Sequence, residues 1–408
     1  MTRPPRLWVV TEVYAPQETA TAHILARVAG GLAADGPVSV LTAQPTYERR
    51  TERLPGRESL DGVDVHRLWS TRLDKDVLPL RVLNLVTATV SFFVAACLRV
   101  RPGDRVLVVT NPPTLPFALA VACRLRRARL LLLVHDVYPE VLVAAGLLGA
   151  GSLSARFGVA ATRWLYRRAD TVVVLGRDME ELVRSKVGGP SGTGTGPTVV
   201  VVPNWADLDD VVPETRDGNA LLTRLGLADR FVVGLAGNIG PLNGLETLLD
   251  AADLLRDDPS VAVLVVGSGG RRNWFEAEVA RRGLANVTVV DRVPRAEASG
   301  VHAACDVALV SLGPRMLGVS VPSRLYNVLA SGRPVVVVAD PRSEPALVVA
   351  EEGVGWVVTP GDPGALASAV REAAASGDLA AMGVRARRGA EERYSFAAVL
   401  DRWRVAAG

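Results

Sequence analysis

At 408 residues, 49% apolar and 22% charged, the chain has the length of two or three domains and the composition of a soluble globular protein with large cores. The formal net charge is only +3, but residues 1–205 carry 25 Lys+Arg against 17 Asp+Glu, and the remainder carries 21 against 26. This asymmetry suits an anionic membrane surface or a phosphorylated acceptor and speaks against nucleic acid, because the basic residues are not interleaved with aromatics.

The N-terminus passes from arginines into an apolar run too short for a secretory signal, and no small-residue cleavage site follows. Residues 7–11 (LWVVT) read as a strand buried on both faces, and 20–34 have helical spacing that ends at Asp35-Gly36. The loop between them lies at the carboxyl end of the strand, where open α/β sheets place ligands, and offers Glu18, Thr19 and Thr21. Strands are predicted at 38–42, 63–68 and 106–110, the last running into NPPTLP, whose paired prolines force an extended turn. The uncharged run 82–98 contains Asn84, Thr87, Thr89 and Ser91, falls short of a membrane span, and reads as a core helix. The strand 130–134 (LLLLV) ends at His135-Asp136, an imidazole and a carboxylate at the ligand-bearing edge, suited to base chemistry or to backbone hydrogen bonding alone. After a strand at 171–175 and a helix at 177–186, the Gly/Ser/Thr stretch 188–197 lacks phosphate-binding spacing and reads as a surface loop before a strand at 199–202.

The second half repeats the rhythm, with strands at 231–235, 262–267, 287–290, 307–310, 334–338 and 355–358 alternating with helices, as in a parallel sheet wrapped on both faces. The Gly-rich turn AGNIGPLNGLE follows the first of these strands and precedes a helix, so the amides of Gly237 and Gly240 are candidates to meet phosphate. Residues 313–332 (GPRMLGVSVPSRLYNVLASG) read as a loop, then a short helix over 324–330 that Ser323 caps. Arg324 at its start and Arg315 upstream suit an anion, with diphosphate the natural candidate; a solvated surface arginine is the alternative. Glu344, after the strand PVVVVAD, is placed to accept from ribose or sugar hydroxyls, or is a solvated first-turn residue. No Asp-x-Asp ends a strand, the four histidines are scattered, and Cys97, Cys123 and Cys305 stand singly. No metal site or disulfide framework is therefore expected, and a reducing cytoplasm fits.

NWAD at 204–207, GNIG-x3-GLE, VGSGG at 266–270 and VPSRLYN...SGRP occur in the order found in glycosyltransferase family 4, and the chain resembles that family over nearly its whole length. Most members carry two glutamates eight residues apart where this chain has Val319 and Asn327, and VPSRLYN resembles a subgroup from bacterial polysaccharide and sugar-modification pathways. The resemblance implies the GT-B fold: two Rossmann-like, doubly wound parallel-sheet α/β domains facing a central cleft. These are an acceptor-side domain at 1–205, a nucleotide-sugar domain at 206–390, and a terminal helix at 391–408 that crosses back.

The implied reaction moves a sugar from a nucleoside-diphosphate sugar to an unidentified acceptor with retention of configuration, without a metal or other cofactor. The loop with Glu18, Thr19 and Thr21 would face the acceptor. His135, beside Asp136, would touch the transferred sugar. Asn238 and Asn243 stand where members carry basic residues, leaving the diphosphate to Arg315 and Arg324. Val293 would read the base through its backbone, with Arg295 a second phosphate contact or a helix-start charge, and Asn327 occupies the place of a ribose-binding carboxylate. A phosphorylase of this fold needs a pyridoxal lysine, and residues 206–408 contain no lysine. A non-catalytic nucleotide-sugar-binding protein and an epimerase remain the alternatives.

Overall fold

A computed structural model describes residues 3–17, 19–45, 53–74, 77–188 and 196–408, so Glu18 and most of the loop expected at 188–197 lie outside the described residues. The first half runs β1 (Leu7–Val10), α1 (Ala20–Ala33), β2 (Val38–Ala43), β3 (Arg57–Leu60), β4 (Val63–Leu68), α2 (Leu78–Arg99), β5 (Arg105–Val109), α3 (Leu115–Arg126), β6 (Arg129–Val134), α4 (Glu140–Ala144), α5 (Leu153–Tyr166), β7 (Thr171–Val174), α6 (Arg177–Val187) and β8 (Thr198–Val201). The second runs α7 (Ala220–Leu225), β9 (Phe231–Asn238), α8 (Leu245–Leu254), β10 (Val261–Ser268), α9 (Arg272–Arg282), β11 (Val287–Val290), α10 (Ala298–Ala303), β12 (Val307–Ser311), α11 (Arg324–Ala330), β13 (Val335–Val338), α12 (Glu344–Glu352), β14 (Gly355–Val358), α13 (Pro363–Ala375), α14 (Leu379–Glu392) and α15 (Phe396–Ala407).

The strands form two sheets, ordered β3-β4-β2-β1-β5-β6-β7-β8 and β11-β10-β9-β12-β13-β14. Every pairing is parallel except β3 with β4. All residues of β1, β2, β12 and β13 are buried, which explains their largely apolar sequences: helices cover both faces of a parallel sheet, so no side chain alternates toward water. The strand order reverses between β1 and β5 in one sheet and between β9 and β12 in the other. The crevice outside the carboxyl ends of such a reversal is where open α/β sheets bind ligands.

Loops from these two edges meet. The Val137 amide donates to the Val319 carbonyl at 2.9 Å, the Gly318 amide donates to Asp178 Oδ2 at 2.9 Å, and Asp136 forms a backbone bridge with Ser320. The last helix, α15, packs on α1: Leu400 lies so close to Gly31 that a Cβ there would stand 2.8 Å from its Cδ1, and the Arg27 guanidinium covers the Phe396 ring at 4.6 Å. The Ala206 amide donates to the Tyr394 carbonyl at 2.7 Å, and Arg404 pairs with Asp35 at 2.8 Å.

Two elements differ from the sequence reading. β3 is an antiparallel edge strand that the apolar pattern missed, because RESL has no apolar run; Asp61 and Gly62, at φ of 49° and 77°, make the hairpin turn to β4. The run 82–98 is helical, but it is not a core helix. Ala88, Phe92, Ala95 and Ala96 are buried on one side, while Val82, Val86, Val90, Val94 and Leu98 face solvent.

Candidate active site

A cavity of about 670 Å³ lies between the two halves. The loop after β1 and the start of α1 supply Gln17, Thr19 and His23, and the second half supplies Gly237, Asn238, Val293, Arg295, Ser323, Arg324 and Asn327. Thus most residues singled out in the second-half motifs reach one space, although they lie far apart in the chain.

Arg324 opens α11. Ser323 does not cap this helix: its backbone is already helical (φ −60°, ψ −24°) and its side chain makes no capping bond. The turn is closed instead by the Leu325 amide donating to the Pro322 carbonyl at 3.2 Å. Ser323 therefore leaves the guanidinium of Arg324 as the charged group at this helix start. Its Nη2 donates to the Asn238 carbonyl at 3.1 Å, and its Nη1 is buried without a partner. Burial lowers its pKa to about 10, so it stays charged at neutral pH. A Cβ on Gly237 would lie 3.5 Å from Arg324 Cζ, and φ of 125° strains any other residue there. Gly267 is required next to it, since a Cβ would fall 1.8 Å from the Gly237 carbonyl oxygen.

Several expected contacts are corrected. The Gly240 amide already donates to Asn243 Oδ1 at 3.0 Å, and the Ile239 amide to the Ser268 carbonyl at 2.8 Å, so this part of the Gly-rich turn is folded on itself; neither Gly240 nor Asn243 lines the cavity. Arg295 lines it, but its guanidinium pairs with Asp207 and, at 2.5 Å, with Asp210, which satisfies its charge with carboxylates rather than phosphate. Glu344 is buried away from the cavity, its Oε2 accepting from the Arg177 backbone amide at 2.8 Å and from Arg177 Nε at 2.9 Å. Arg315 is exposed in a turn with φ of 65° and is outside the cavity lining, as is Thr21. Thr19 reaches the lining while its hydroxyl caps α1, accepting from the Ala22 amide at 3.2 Å.

His135 sits past β6 with its Nε2 buried and unpartnered, and burial pushes its pKa down to about 4, so the ring is neutral. Its backbone amide donates to Thr110 Oγ1 at 3.2 Å. Asp136, raised by burial, hydrogen-bonds Ser320 across the halves; neither residue lines the cavity. Asn327 Oδ1 accepts from the Asp207 amide at 3.2 Å, tying the cavity wall to the segment that joins the halves.

Two histidines were missed because single histidines in helices carry no motif. His23 Nε2 lies 2.9 Å from Asp207 Oδ2, and burial, then the Arg295 and Arg27 charges, lower its pKa to about 4. His302 lines the same cavity and is lowered to about 4, by burial first and Arg333 second. Among the described residues no group of three or more His, Cys, Asp or Glu is placed to hold a metal ion.

Residues 19–205 match the family described as Glycosyl transferase 4-like domain, and residues 230–376 the family described as Glycosyl transferases group 1. The chain is 30% identical to the probable glycosyltransferase WbjE of Pseudomonas aeruginosa over 399 residues, covering 98% of this chain and 96% of that one. It is 28% identical to the putative colanic acid biosynthesis glycosyl transferase WcaI of Escherichia coli (strain K12), covering 88% and 90%. Among solved structures, sucrose-phosphate synthase of Thermosynechococcus elongatus superposes with a TM-score of 0.78 at 17% identity, covering 98% of both chains. HepE of Anabaena in complex with UDP-glucose superposes with a TM-score of 0.71 at 18% identity, covering 97% of both. With two doubly wound parallel-sheet domains and these relatives, the chain belongs to the family 4-like, group 1 glycosyltransferases and has the GT-B fold.

Proposed function

We propose that the chain transfers a glycosyl unit from a nucleoside-diphosphate sugar to an acceptor hydroxyl, retaining the donor's anomeric configuration and using no metal ion. The observation that carries this reading is Arg324, a charged guanidinium with one buried nitrogen unpartnered on the wall of a cavity of about 670 Å³. HepE, similar in fold, was solved with UDP-glucose, which supports a donor of this class.

In this reading residues 206–390 hold the donor, residues 1–205 present the acceptor, and residues 391–408 tie the two together. The diphosphate lies against Arg324, Gly237 and Asn238, the ribose near Ser323 and Asn327, and the base at the backbone of Val293. The bond between the anomeric carbon and the departing phosphate oxygen breaks as the acceptor oxygen bonds to the same face. The acceptor proton passes to that phosphate oxygen. Negative charge grows on the diphosphate, so a fixed cation aimed there lowers the barrier more than a protein nucleophile does. His135, neutral and outside the cavity lining, is left without a direct role in this step. The relative named for colanic acid biosynthesis supports a place in bacterial polysaccharide assembly, and the unpaired cysteines suit the cytoplasm.

A thermal-shift screen of nucleoside diphosphates, then of nucleotide sugars, tests the reading. A ligand at a hundredfold its Kd stabilises the folded state by about 2.7 kcal/mol. Stabilisation by a nucleoside diphosphate, followed by product with the donor's anomeric configuration by NMR, is expected; no stabilisation by any of them contradicts it.

A further inference from the structure

Three helices on one side of the first sheet leave an apolar surface open to solvent. On α2, Val82, Val86, Val90, Val94 and Leu98 recur every fourth residue and are all exposed, Leu98 at 74%. α3, packed beside α2, adds Val121 and Leu125, and α5 adds Leu153 at 81% and Phe157 at 76%. Trp164 of α5 stacks on Phe117 of α3 with ring centroids 6.2 Å apart, which joins the two helices into one surface. Trp69, 65% exposed, borders a groove of about 450 Å³ that runs along Val86, Val90, Val94 and Leu98. Soluble monomers rarely leave contiguous apolar area of this extent uncovered.

The charge carried by these three helices has one sign. The three helices contain Arg81, Arg99, Arg124, Arg126, Arg156 and Arg163 and no Asp, Glu or Lys. Arg168, just past α5, lies over the Trp164 ring at 5.2 Å. Arginines of this kind lay their apolar stems along a hydrophobic surface and hold their charged heads at the level of lipid phosphates.

We propose that the α2-α3-α5 face docks on an anionic lipid bilayer, with α2 lying in the plane of the interface. α2 is long and apolar enough to cross a membrane, but it leads from β4 to β5 within one sheet, and its own Phe92 and Ala96 are buried in the protein. It therefore lies on the membrane, as an amphipathic helix with its apolar face about 5–10 Å into the headgroup region does. The face adjoins the ligand-bearing edge: Thr89 Oγ1 of α2 is 2.8 Å from Thr114 Oγ1, in the loop after β5. This inference does not depend on the proposed reaction, because its test reads binding and not turnover.

The test is sedimentation of the full chain with vesicles of phosphatidylcholine alone or mixed with phosphatidylglycerol. Binding is expected to the mixed vesicles and to weaken with salt, since the screening length falls from about 10 Å at 0.1 M to about 3 Å at 1 M. The double variant Val90→Glu/Val94→Glu, and separately Arg156→Glu/Arg163→Glu, should each lower mixed-vesicle affinity by roughly tenfold or more. Phe157→Ser, on a different helix, gives a second apolar variant should the α2 change disturb folding, and circular dichroism checks each. Equal binding to both vesicle types, undiminished binding of the folded variants, or a dimer that Val90→Glu/Val94→Glu dissociates would overturn the proposal.

Discussion

The backbone amide and the Nε of Arg177 both donate to one oxygen of Glu344, at 2.8 and 2.9 Å, joining the start of α6 in one domain to the start of α12 in the other. Glu344 is thus an interdomain tie. Glu344→Ala leaves the Arg177 amide without its acceptor and should destabilise the fold by about 1–2 kcal/mol, a modest figure because the Arg177 side chain is half exposed. Denaturant unfolding measures it. The donor KM should not change; a raised KM at unchanged stability would return Glu344 to the sugar site.

Asn327 lines the cavity and accepts from the Asp207 amide at 3.2 Å. Asn327→Ala removes the side-chain amide that the ribose meets in the proposed reading, a neutral hydrogen bond worth about 0.5–1.5 kcal/mol, and should raise the donor KM roughly twofold to tenfold with kcat largely kept. Steady-state kinetics with varied donor reads this out, and an unchanged KM places Asn327 outside the donor site.

Stability should fall in acid. His135 and His302 are pushed by burial from 6.5 to about 4, so between these values the unfolded chain binds protons that the folded chain refuses. Their contribution is fully present above pH 6.5 and lost as pH falls to about 4, at most roughly 3 kcal/mol each. Asp136 and Asp178, raised by burial, act in the opposite sense at the acid end. The Tm should drop from pH 7 to pH 5, and His302→Gln should flatten that slope; a slope unchanged by the substitution would mean His302 titrates normally.

The strands were legible because β1, β12 and β13 are buried throughout, and β6 from Leu130 on, and so are rich in Val and Leu. β3 was not, since an edge strand of alternating exposure needs no apolar run, although Asp61-Gly62 marks its hairpin. Periodicity placed α2 correctly as a helix but did not tell which side faces the sheet, because both sides are apolar. In the cavity, Gly237, Val293, Arg324 and Asn327 were readable from their motifs. What the motifs did not carry was pairing. Arg295 meets Asp207 and Asp210, and Asn243 meets Gly240, through contacts set by three-dimensional folding, so a free charge in the sequence became a satisfied one in the structure.

Metal removal gives a further check. The proposed site neutralises diphosphate with a guanidinium, and no carboxylate or imidazole cluster suited to a cation stands among the described residues. Transfer activity should survive excess EDTA; loss restored by magnesium or manganese would contradict metal independence.

The central claim rests on Arg324, whose Nη1 is buried and unpartnered while its Nη2 holds the Asn238 carbonyl at 3.1 Å. A charge-assisted bond that strengthens as the leaving diphosphate gains charge is worth roughly 2–4 kcal/mol in the transition state. With the donor that the thermal-shift screen identifies, kcat/KM of folded Arg324→Ala should fall about 30-fold to 1,000-fold. Arg324→Lys should recover only part, because a point charge lacks the planar fork. A kcat/KM for Arg324→Ala near that of the unmodified chain, with Tm unchanged, would contradict the account.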